Sequence, residues 1–91
     1  MARNQFFIEL SENIRSARKA YGLTQVELAQ MIGVTASCVS MYESGRRIPN
    51  IQTLAIMCDM MGRSVDDLLP EVKYEIPQIE EQTSIFDEIG E

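Results

Sequence analysis

The sequence contains no histidine and only two cysteines, Cys38 and Cys58, among its 91 residues. The missing imidazole excludes Ser-His and Cys-His nucleophile pairs and every histidine-ligated metal. A structural zinc site takes about four nitrogen or sulfur ligands, and two thiols cannot supply them. A lone cysteine pair in such a chain reads as two free thiols. No metal, no cofactor and no enzymatic activity are therefore expected. Long hydrophobic runs are also missing: no stretch of about 18 apolar residues is present to span a membrane. Met1 to Gln5 leads into an amphipathic stretch rather than an unbroken apolar one, unlike a secretory signal. A cytoplasmic protein is expected.

Positive charge is scarce, with 8 Lys and Arg against 14 Asp and Glu, for a net charge of −6. As an average, that balance opposes a phosphate-seeking surface. The distribution changes its meaning. Residues 1–69 hold seven acids and seven bases, whereas residues 70–91 hold seven acids and the single base Lys73. The whole surplus sits in the last stretch, and Pro70, which lacks the N–H of a helix interior, marks the border. Residues 1–69 read as one small domain, and an apolar share of 45% suffices for one modest core. Residues 70–91 read as an acidic C-terminal tail.

The first segment carries helical periodicity throughout. Phe7, Leu10, Ile14, Ala17 and Tyr21 recur at steps of three and four, placing an apolar stripe on one face. Gly22 stops that helix. Thr24-Gln25-Val26-Glu27 has the form of a capping box and opens a second helix of about two turns, with Leu28, Ala29 and Ile32 inward and Gly33 at its end. Thr35 caps a third, with Val39 and Tyr42 inward and Gly45 closing it. Gly45-Arg46-Arg47-Ile48-Pro49 reads as a basic loop. Asn50 caps a fourth helix with the stripe Leu54, Met57, Cys58 and Met61, stopped by Gly62. Ser64 and Asp67 form a second capping box before a short fifth helix whose Leu68 and Leu69 point inward. The fold class is all-α.

The tail differs in pattern. Val72, Tyr74 and Ile76 alternate with Lys73 and Glu75, a signal for a short strand that Pro77 confines to an edge. Residues 78–91 scatter Ile79, Ile85, Phe86 and Ile89 among charges, as in a short amphipathic helix or a disordered segment. Three roles stay open for the tail: a solvated extension, a dimerisation element, or a surface for a protein partner.

The stretch from Gln25 to Ser44 carries the functional signal. Two short helices flank a tight turn at Gly33, with Ala29 four residues before the glycine and Val39 six after it. A small residue at Ala29 lets the helices cross closely, and Val39 plugs the angle between them. A helix held this way projects from the body and fits a major groove about 12 Å wide. From about Ile14 to Leu69 the sequence resembles the Cro/C1-type (XRE-family) helix-turn-helix regulators. The matching residues are Ile14-Arg15 and Arg18, Gly22-Leu23-Thr24-Gln25, Leu28-Ala29 and Gly33-Val34-Thr35. They continue with Val39-Ser40, Tyr42-Glu43, Gly45-Arg46-Arg47 and Pro49, then Leu54 through Met61-Gly62 and Asp67-Leu68-Leu69.

That resemblance implies a five-helix, lambda-repressor-like domain that binds double-stranded DNA. It implies that Gln25, with Thr24, meets a DNA phosphate at the start of the second helix. Thr35, Ala36, Ser37, Ser40 and Met41 are assigned to the DNA-facing side of the third helix, and Arg46 and Arg47 to backbone contact. Arg18 and Glu43 are implied to form a structural ion pair between the first and third helices. Family members often carry Gln at the position of Ala36 and Arg, Lys or Gln at that of Met41, side chains able to form bidentate contacts with purines. Here only Ser37 and Ser40 offer hydrogen bonds, so readout resting on apolar contact, bound water and DNA shape is expected. The implied function is transcription regulation by a repressor occupying its operator as a homodimer. The alternative is an antitoxin-like or adaptor protein whose acidic tail binds a protein partner, with DNA binding secondary or lost.

Overall fold

The computed structural model describes residues 5–71 as five helices: α1 (Gln5–Ala20), α2 (Gln25–Ile32), α3 (Ala36–Ser44), α4 (Ile51–Met60) and α5 (Val65–Leu68). No strand occurs among the described residues. The five helices are those the residue pattern marked out, and the all-α, lambda-repressor-like architecture is the one the resemblance implied. The expected strand at Val72 to Ile76 and the helix or disordered stretch over 78–91 lie outside the described residues.

Local chemistry sets the helix starts. The side chains of Thr24, Thr35, Asn50 and Ser64 each accept a hydrogen bond from a backbone N–H three residues on, and Glu27 and Asp67 complete two capping boxes. Each cap satisfies an N–H that the first helical turn cannot pair internally. The turn between α2 and α3 depends on Gly33, whose φ of 79° lies in the left-handed region. There the N–H groups of Gly33 and Val34 both return to the Ala29 carbonyl, at 2.9 and 3.0 Å.

Helix α3 packs against both α1 and α2, α4 lies against α2, and α5 closes the far side against α1 and α4. Ile14, Leu28, Val39 and Met57 are fully buried at the meeting point of the first four helices. Asn13 of α1 donates its amide to the Leu68 carbonyl at 2.8 Å, satisfying an unpaired carbonyl of α5. Cys38 and Cys58 are free and buried. Burial pushes the Cys58 thiol up, with the charge of Asp67 adding to the rise.

Two inward assignments need correction, and both fall at helix ends. Tyr21 is 56% exposed because α1 ends at Ala20 and the chain turns away before completing the stripe. Leu69 is 36% exposed because its backbone is already extended (φ −73°, ψ 128°), which breaks the helical facing shared with Leu68. Phe7 and Ile32 are half-buried against the core rather than within it.

Candidate nucleic-acid interface

The outer face of α3 follows from its inner one. Cys38, Val39 and Tyr42 are buried, which turns Ser37, Ser40 and Ser44 to solvent on the opposite stripe. Met41 is half-buried beside them. Ala36 is half-buried and packs against the core, so its methyl is partly withdrawn from the face assigned to it. Thr35 is exposed, but its hydroxyl oxygen accepts from the Cys38 N–H at 3.1 Å as the helix cap. Thr24 does the same for Glu27 at 3.0 Å.

The C-terminal end of α3 carries the two basic side chains. Gly45 adopts φ 77°, and the N–H groups of Arg46 and Arg47 then turn back to the Met41 carbonyl at 3.0 and 3.2 Å. This wrapping anchors the backbone of the basic loop while both arginine side chains stay exposed. Tyr42 lies beneath them; burial pushes its phenol up, the Cys38 thiol adds to the rise, and the Arg47 charge opposes it.

The scaffold behind this face is an ion pair. Arg18 donates from Nε to Glu43 Oε2 at 2.6 Å and from Nη2 to Oε1 at 3.0 Å, a two-pronged contact between α1 and α3. Its Nη1 donates to the Leu23 carbonyl at 2.8 Å, so the same guanidinium also fixes the approach to α2. The side chains are 9% and 3% exposed, and the hydrogen bond to Glu43 holds the Arg18 guanidinium above its usual value against the opposing effect of burial. In such surroundings the pair specifies geometry more than it adds stability.

Gln25, half-buried at the start of α2, joins this pair: its Nε2 donates to Glu43 Oε1 at 3.1 Å. Because an ionised carboxylate only accepts, the amide nitrogen must face Glu43. The sequence pattern carried no sign of this link across 18 residues. It also left Arg15 and Ser44 out of the site. Both line a shallow depression of about 240 Å³ with Gln25, Ser40 and Glu43. A signal for each was available: Ser44 stands seven residues after Ser37 on the same stripe, and Arg15 is one helical turn before Arg18.

Among the described residues, no group of His, Cys, Asp or Glu side chains is placed to hold a metal ion. None of the described helices is long and apolar enough to cross a membrane.

Comparison with known proteins agrees with this geometry. Residues 14–68 match the helix-turn-helix family HTH_3. The chain is 33% identical over 64 residues to the antitoxin PezA of Streptococcus pneumoniae, covering 70% of this chain and 40% of that protein. It is 31% identical over 61 residues to the cryptic phage CTXphi transcriptional repressor RstR of Vibrio cholerae, covering 67% and 54%. The chain thus spans about half or less of the length of these two relatives. The crystal structure of the clp gene regulator ClgR from Corynebacterium glutamicum superposes with a TM-score of 0.69 at 31% identity, over 74% of this chain and 71% of that one. With its helices, caps and turn in the expected frame, the chain belongs to the Cro/C1-type helix-turn-helix family, a family of DNA-binding transcription regulators rather than enzymes.

Proposed function

We propose that the chain binds double-stranded DNA in a sequence-dependent manner and represses transcription by occupying an operator as a homodimer. The observation that carries the reading is the arrangement of α3. A solvent-facing stripe of Ser37, Ser40 and Ser44, with half-buried Met41 beside it, is bordered by Gln25, which reaches Glu43 in the last turn of α3, and runs on into the exposed Arg46 and Arg47. The flanking groups meet phosphates and set the register, while the stripe meets base edges. Thr24 and Thr35 contribute through their positions at the two helix starts. Ser37 and Ser40 supply short hydrogen bonds, and Met41 supplies adaptable apolar contact. Ala36 stands at the rim of the groove-facing side.

A homodimer follows from reach. One nine-residue helix reads few base pairs, and two copies reading half-sites about 34–36 Å apart double the contact. The likeness to the repressor RstR supports the repressor role. The test is affinity for duplex DNA as a function of salt, for the full chain and for Arg46→Ala/Arg47→Ala. Loss of both arginines is expected to lower the slope of log K against log salt by about 1.8, at about 0.9 per phosphate contact. A double variant that binds as the parent does at every salt concentration contradicts the assignment.

The likeness to the antitoxin PezA favours a second reading, in which the acidic tail binds a protein partner and DNA binding is regulatory. Light scattering of the full chain and of a truncation at Pro70 bears on the two. A smaller assembly after truncation makes the tail a dimerisation element, as the operator reading allows. An unchanged assembly leaves the tail free for a protein partner.

A further inference from the structure

Arg15 stands on the exposed side of α1 and forms no ion pair among the described residues, although Glu12 lies one turn before it. Its side chain lines the depression between α1, the start of α2 and the C-terminal half of α3, together with Gln25, Ser40, Glu43 and Ser44. Glu43 is the one acid there and is already committed. Both of its oxygens accept from Arg18, Oε1 also accepts from Gln25, and the side chain is 3% exposed. Two guanidiniums therefore stand against one carboxylate, and the local balance is positive. The remaining polar groups are small or donating. Ser40 offers a hydroxyl, Gln25 has a second amide hydrogen beyond the one given to Glu43, and Ser44 donates to the Met41 carbonyl at 3.3 Å.

From this juxtaposition we propose that the depression is a site for a phosphodiester phosphate of the DNA backbone, with Arg15 as its principal cation. The inference rests on the DNA-binding reading and extends it. A strand that meets Gln25 passes the mouth of the depression, where Arg15 supplies a charged contact that neither Thr24 nor Gln25 can provide. A guanidinium suits that role because it offers paired donors to phosphate oxygens. The arrangement also explains why a positively charged side chain is left unpaired beside a buried carboxylate. Arg18 neutralises that carboxylate from within, so Arg15 is free to face outward.

The experiment measures the affinity of the full chain for a random-sequence duplex as a function of salt, for the parent, Arg15→Ala, Arg15→Lys, Arg63→Ala and Arg46→Ala/Arg47→Ala. Arg15→Ala is expected to fold normally, since it removes no hydrogen bond, and to lower the salt slope by about 0.9. Between about 50 and about 200 mM salt it then loses about 3.5-fold less affinity than the parent. Arg15→Lys keeps the parental slope. Arg63→Ala, the same change of net charge outside the depression, also keeps it. The inference is overturned if Arg15→Ala keeps the parental slope while the Arg46/Arg47 variant lowers it, an outcome that leaves the DNA-binding reading intact. It is also overturned if Arg63→Ala lowers the slope as much as Arg15→Ala. If the parent chain does not bind the duplex at all, the broader reading falls and takes this one with it.

Discussion

Gln25 and Glu43, 18 residues apart, are joined by a 3.1 Å hydrogen bond from the amide Nε2 to Oε1. The candidate phosphate contact at the start of α2 is thereby tied to the ion pair that fastens α3 to α1. One carboxylate thus orients both a structural arginine and a candidate DNA-binding glutamine. Removing Gln25 and removing Glu43 should consequently have separable effects. Gln25→Ala deletes one partly exposed hydrogen bond, and its cost in stability is expected to stay near about 1 kcal/mol. Its loss of DNA affinity should be the larger effect. Urea unfolding and duplex binding measured on the same variant check this, and equal losses in both would contradict it.

Glu43→Ala strands the Arg18 guanidinium in a site where its side chain is 9% exposed. Breaking one half of such a pair is expected to cost about 3–5 kcal/mol. Replacing both partners together, as Arg18→Met/Glu43→Leu, should recover much of that loss, because no charge is then left buried alone. A double variant less stable than Glu43→Ala would show that the pair contributes net stability and not only geometry.

Gly33 offers a test of backbone conformation free of steric complications. A Cβ added there meets no atom within 4 Å, but φ is +79°. Gly33→Ala should therefore destabilise by about 1–2 kcal/mol through conformation alone. Gly33→Asn should lose less, since asparagine tolerates the left-handed region better. Thermal unfolding of the two variants settles the order. Equal losses would point to packing that the glycine face does not show.

Alkaline pH should weaken the fold in two steps. The Cys58 thiol and the Tyr42 phenol are both raised above their ordinary values, about 9 and about 10, chiefly by burial. A raised folded value means that the unfolded chain gives up its proton first as pH rises. The stability from each neutral group is then fully present below its ordinary value and is lost as pH climbs towards the folded one. Stability should hold up to about pH 8 and fall beyond, first through Cys58 and then through Tyr42. Cys58→Ala should remove the first decline and Tyr42→Phe the second, as read by urea unfolding at fixed pH values. A parent chain whose stability is flat from pH 8 to 11 would contradict the assignment.

Much of the fold was legible because its signals are local. Thr24, Thr35, Asn50 and Ser64 each stand three residues before the N–H they cap, and Gly33 and Gly45 each close a helix, so spacing alone reveals them. Arg18 and Glu43 were legible through family resemblance, since nothing in a window of sequence connects residues 25 apart. Periodicity failed at Tyr21 and Leu69 because it describes a helix that continues, and at both positions the helix has just ended. Ala36, assigned through the resemblance, is half-buried against the core, because at the first position of a helix the path of the preceding turn decides which way the side chain faces. The Gln25 to Glu43 bond and the place of Arg15 beside Ser40 and Ser44 depend on how α1, α2 and α3 cross, which is a tertiary property.

The average charge of −6 does not oppose the proposed function, because residues 1–69 are balanced and place Arg15, Arg46 and Arg47 around α3. The acidic surplus of residues 70–91 should instead weaken binding to random DNA. Truncation after Pro70 is expected to raise that affinity at low salt. Unchanged or lower affinity of the truncated chain would count against the electrostatic account.

The central claim, sequence-dependent duplex binding by a dimer, is tested most directly by selecting bound duplexes from a random pool with the full chain at about 0.1 M salt. The account predicts enrichment of an inverted repeat whose half-site centres lie about 10 base pairs apart. Substitution of Ser40 or Met41 should change which bases are enriched, while Arg46→Ala/Arg47→Ala should weaken binding to every sequence alike. A pool that emerges no richer in any sequence than it began would contradict the claim.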